Sequence, residues 1–100
     1  MGALCTAINS MSLVRFHYDD AAPGYRTVEP HMVAYNEAEH LALSAWFLYG
    51  ESASGEGQGW REYLLENVAD VTILDRHFTQ PRPGYQPTGG RKFHNVQCAL

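Results

Sequence analysis

Two apolar stretches that alternate at period two constrain this chain more than any other feature. In residues 13–18, Val14, Phe16 and Tyr18 fall on one side, with Arg15 and His17 on the other. In residues 41–47, Leu41, Leu43, Ala45 and Phe47 oppose Ala42, Ser44 and Trp46. A helix would scatter each set around its surface, whereas a strand gathers it on one face. Turn chemistry separates the stretches. Asp19-Asp20-Ala21-Ala22-Pro23-Gly24 sets a reversal, and residues 35–39 set another. The adjacent acids Asp19 and Asp20 suit local backbone donors in that turn better than acid–base work.

The same reading extends along the chain. Residues 3–9 predict one or two helical turns, and a strand starts near Arg26 and bends or ends at Pro30, which has no N–H to give a ladder. Residues 50–59 (GESASGEGQG) carry four glycines and two acids, so they form a solvated loop and not a phosphate cradle. The β-branched run Val71-Thr72-Ile73 favours strand, turn, strand across residues 60–74. Prolines and glycines from Pro81 to Gly90 exclude a continuous element, with a last strand at residues 92–97. Many short strands predict a mainly β fold, a small antiparallel barrel with a short N-terminal helix. One hundred residues give one domain, with a core over about 7–85 and a loop-rich tail at 79–100. Phe16, Tyr18, Phe47 and Phe78 are expected in that core.

Charge limits the partners. The net charge is −4, so generic capture of polyanions by a basic face is disfavoured. Six of the seven basic residues are arginines, whose planar fork suits bidentate capture of phosphate or carboxylate. Two segments place arginines beside strands: Arg26-Thr27-Val28-Glu29-Pro30 and Trp60-Arg61-Glu62-Tyr63. Arg26 and Arg61 are the first candidates for ligand contact, and pairing with Glu29, Glu62 or Glu66 is the bland alternative. The five histidines lack metal-ligand spacing, and no serine has a nucleophile context. The expectation is a binding domain with no catalytic residue, no metal and no cofactor. Cys5 and Cys98 stand at opposite ends, where terminal strands could bring them together, but two buried free thiols are the expectation. No apolar run has spanning length, which predicts a cytoplasmic protein with no membrane partner.

The order of these pieces resembles the WYL domain of bacterial transcriptional regulators. The resemblance is carried by Leu13-Val14-Arg15-Phe16-His17-Tyr18, Arg26-x-Val28-x-Pro30, Leu41-Ala42-Leu43-Ser44-Ala45-Trp46, Trp60-Arg61-x-Tyr63-x-Leu65 and Val68-x-x-Val71-x-Ile73-Leu74, leading to Phe78. It implies an Sm-like, SH3-type β-barrel that senses a nucleotide or short single-stranded nucleic acid. The family's Trp-Tyr-Leu tripeptide falls on Leu41-Ala42-Leu43, so its tyrosine is replaced. Of the family's later arginines Arg61 is retained, and two become Leu64 and Asn67. The resemblance thus implies a ligand site at Arg26, Arg61, Ser44, Asn67 and Trp60, with part of its positive charge gone. It places the chain either as a stand-alone module or within a larger regulator. The alternative expectation is a protein-interaction domain that forms a homo-oligomer or joins a regulator partner.

Overall fold

The computed structural model describes residues 1–100. Helix α1 (Gly2–Ser10) precedes strands β1 (Ser12–Tyr18), β2 (Gly24–Tyr35), β3 (Leu41–Gly50), β4 (Gly59–Leu64), β5 (Val68–His77) and β6 (His94–Ala99). Strands account for 51% of the residues, so the mainly β expectation holds. All pairings are antiparallel and run in the order β4-β3-β2-β1-β5, with β6 added to β2. No pairing joins β4 to β5, and the sheet is therefore not closed. No helix is long and apolar enough to cross a membrane.

The period-two stretches do what their pattern requires. Val14, Phe16 and Tyr18 of β1 meet Leu43, Ala45 and Phe47 of β3 in one cluster, joined by Leu4, Ala7 and Ile8 of α1. Phe78 is buried as well. α1 ends at Met11, which takes the left-handed conformation (φ 54°) and sends the chain into β1.

β2 departs from expectation. It does not end at Pro30 but continues to Tyr35, with a register shift against β3 between Pro30 and Met32. The shift accommodates a residue that has no N–H for the ladder. Around that point β2 changes neighbours: residues 24–28 pair with β1, and residues 32–35 pair with β6. The last strand starts two residues later than the sequence predicts.

The cysteine expectation is corrected. Cys5 and Cys98 are joined as a disulfide, with Cα atoms 5.7 Å apart and a separation of 93 positions in sequence. Val33 pairs with Cys98, and α1 packs against the same end of the sheet. Separation in sequence is therefore no guide to separation in space here, because both termini meet on β2. Closing so long a loop restricts the unfolded chain strongly.

Candidate functional site

Between the outer face of β3–β4 and the tail lies a cavity of about 550 Å³. Ser44 pairs with Glu62, and Trp46 with Trp60, so polar and aromatic side chains line up on the face opposite the core. The far wall comes from Gly84, Tyr85, Gln86 and residues 89–93. Gly89 is buried at φ +91°, and a Cβ there would meet the Phe93 carbonyl oxygen at 2.5 Å. Only glycine lets the wall fold back so closely.

The tail is pinned over Trp60. The Trp60 indole N–H donates to the Pro83 carbonyl at 2.9 Å, and its ring stacks on Tyr85 at 6.3 Å. Beneath lies His31, 0% exposed, with Trp60, Phe78 and Tyr85 rings around it at 4.8, 5.3 and 5.3 Å. The backbone N–H of Arg82 donates to His31 Nε2 at 3.1 Å. That assigns the ring proton to Nδ1, which donates to the Glu29 carbonyl at 2.8 Å. Arg82 also grips Glu29 by two bonds, Nε to Oε1 at 2.7 Å and Nη2 to Oε2 at 3.0 Å. Glu29 is only 5% exposed, so this fork neutralises a carboxylate that burial would otherwise penalise.

Burial holds the His31 pKa below its ordinary value, opposed by Glu29 and assisted by the Arg82 charge. A histidine with a depressed folded pKa gives its full stability above the unfolded value of about 6.5 and loses it as pH falls toward the folded value. We expect the urea midpoint to fall between pH 7 and pH 5, with a slope of at most about 1.4 kcal/mol per pH unit from this group. His31→Gln should flatten that slope. A wild-type midpoint that does not move over this range would refute the assignment.

The candidate residues are distributed as follows. Ser44, Trp60 and Arg61 border the large cavity together. Arg26 and Arg61 border a second cavity of about 160 Å³, with Tyr18, Asp20, Glu51, Ser52, Ser54 and Tyr63. Arg61 thus lies on the ridge between the two. Its guanidinium donates to the carbonyls of Trp60 and Gly57 at 2.9 and 2.7 Å and lies over Phe47, with no acid partner. Arg26 is 1% exposed. It donates to the Glu51 and Ala22 carbonyls and to Asp20, not to Glu29, Glu62 or Glu66. Its Nη1 is buried without a hydrogen-bond acceptor, and its guanidinium lies 5.0 Å over the Tyr18 ring. Burial pushes the Tyr63 hydroxyl up to about 12, although Arg26 and Arg61 pull it down. Asn67 sits in the single 3-10 turn Leu65–Asn67 and borders neither cavity.

Reading the residues alone missed Arg82, Arg91 and Lys92. Arg82 had a signal, because Pro81 and Pro83 hold its backbone stiff on both sides. Arg91 and Lys92 follow Gly89-Gly90, a turn that can present two adjacent cations.

No protein-family model, curated protein or solved structure matches this chain.

Proposed function

We propose that the protein is a non-catalytic, ligand-sensing domain, and that its large cavity takes an anionic, ring-bearing molecule of the nucleotide class. One observation supports this above the others. The protein carries a net charge of −4, yet the cavity is bordered by the exposed cations Arg91 and Lys92 against one acid, Glu62. Trp60, Tyr85 and Phe93 border the same space. Aromatic faces hold a base by stacking, and a basic rim favours its phosphate. The cavity volume falls within the ordinary range for small-molecule sites.

A WYL-type, Sm-like barrel is the architecture we infer behind this site. Short antiparallel strands and a β2 shared between two neighbours support it, while the open β4–β5 seam distinguishes this chain from a fully paired barrel. Assembly through the free edge of β5 is the weaker reading. Register shifts interrupt that strand's pairing, and Asp70 breaks its course at φ 54°. Such irregularities blunt an edge against strand addition.

The test is titration of Trp fluorescence or heat with mixed mononucleotides and short single strands. Micromolar or tighter binding that weakens with added salt is expected. Arg91→Glu with Lys92→Glu should weaken it about tenfold or more, since two exposed cations become two anions. No heat and no quenching with any nucleotide would remove the proposal.

A further inference from the structure

We infer that the Cys5–Cys98 bridge is a redox-controlled clasp on the wall of the large cavity, closing it when oxidised and releasing it when reduced. The inference builds on the reading of that cavity given above, but its first readout is independent of any ligand.

The wall has little structure of its own. Within residues 86–93 the backbone bonds are Gly89 N–H to Gln86 O at 2.9 Å and Phe93 N–H to Gly89 O at 3.1 Å. Upstream, the tail is pinned by Phe78, Arg82 and Pro83, as described. Downstream, the wall runs directly into β6, whose pairing with the sheet is short and irregular, helped by a His94–Glu39 ion pair at 3.0 Å on its exposed side. β6 meets β2 at Met32↔Ala99, Val33↔Cys98 and Tyr35↔His94, and residues 94–97 are all exposed. Beyond it, Leu100 donates its N–H to the His31 carbonyl at 3.0 Å, and the Tyr85 hydroxyl donates to the Leu100 carbonyl at 3.3 Å.

The two sides of the bridge are unequal. α1 is anchored without it, because Leu4, Ala7 and Ile8 are at most 1% exposed. β6 has no comparable buried anchor, and both cysteines are only half-buried. Breaking the bridge therefore leaves α1 in place and loosens β6, together with the wall that leads into it.

The chemistry needs a dithiol reductant. One of its thiolates attacks Cys98 Sγ, the S–S bond breaks, and Cys5 leaves as a thiolate. The second thiol of the reductant then displaces Cys98. Two electrons and two protons reach the protein, and the reductant becomes a disulfide. A bridge that opens and closes also fits a reducing compartment, where disulfides that do form are usually transient or sensing.

Amide hydrogen exchange on the whole chain, oxidised and then in excess dithiothreitol, tests the clasp. Amides of residues 86–99 should exchange about tenfold faster or more after reduction, while those of β1–β3 stay protected. A fluorescent adenine nucleotide should bind about tenfold more weakly to the reduced protein, and reoxidation should restore it. Cys98→Ser should behave as the reduced form with or without dithiothreitol. Unchanged exchange in β6 overturns the inference. So does faster exchange throughout the sheet, since the bridge would then hold the whole fold. If the oxidised protein binds no nucleotide, the reading of the cavity fails, and the exchange pattern still decides the clasp.

Discussion

Replacing Arg26 with methionine is expected to cost about 2–4 kcal/mol, because removing one partner of a buried polar network leaves the others unsatisfied. Methionine keeps the volume and can fill the apolar part of the site, so the loss reports polar bonds and not a cavity. The guanidinium ties the β1–β2 turn to the start of the β3–β4 loop: Nη2 donates to Ala22 O at 2.7 Å and to Asp20 Oδ1 at 3.0 Å, and Nε to Glu51 O at 2.8 Å. Asp20 is partly exposed and can turn to water, which keeps the cost below that of a fully buried pair. Arg26→Lys keeps the charge but not the fork, and it should fall between methionine and wild type. Thermal unfolding should show a melting temperature roughly 10–20 °C lower for Arg26→Met. The acid side supplies a second readout. Burial pushes the Asp20 carboxyl up, but the Ala22 N–H and the Arg26 guanidinium outweigh it and hold the group below its ordinary value. A carboxyl so depressed gives stability above its unfolded pKa and loses it as pH falls through the folded one. The Asp20 titration, followed by NMR, should therefore move up in Arg26→Met. A variant as stable as wild type, with Asp20 unmoved, would show that the network contributes nothing.

That prediction also marks where the sequence was legible. Arg26 stood out because an arginine inside a β-branched run must either reach a ligand or be satisfied in the interior. Nothing local indicated which, because its acceptors Ala22 and Glu51 belong to two different turns. Period-two alternation identified β1 and β3, since each has one buried face. β5 was harder: Val68, Val71 and Leu74 are the half-buried positions, at spacings of three, because register shifts break its alternation. The large cavity was half visible. Ser44, Trp60 and Arg61 lie on strands whose faces can be counted, whereas Arg91 and Lys92 arrive on a proline- and glycine-rich tail with no period to read. The disulfide could be raised from the sequence but not decided, for the same reason. Its formation depends on β6 adding to the second half of β2, a pairing that spans most of the chain.

Phe16→Ala is expected to destabilise the protein by about 3–5 kcal/mol, the usual loss for a fully buried phenylalanine. Phe16 is 0% exposed at the centre of the core cluster. Its ring meets Tyr63 edge-on at 5.0 Å and Tyr18 at 6.3 Å, and Tyr18 meets Tyr63 at 5.0 Å. Two strands that do not pair are joined by this triad, since Phe16 and Tyr18 belong to β1, Tyr63 belongs to β4, and the Tyr18 hydroxyl accepts the Leu64 N–H at 2.8 Å. β4 has no strand partner besides β3. The triad is therefore the link that carries β4 back to β1 across a sheet whose edges do not pair. Phe16→Leu keeps most of the volume and should cost less than about 1.5 kcal/mol. The two variants separate the volume of the ring from its contacts. If alanine and leucine lose the same amount in urea unfolding, the edge-on contacts matter and the filled volume does not. If both lose less than about 1 kcal/mol, the core can collapse around the gap, and this triad is not what holds β4 in place.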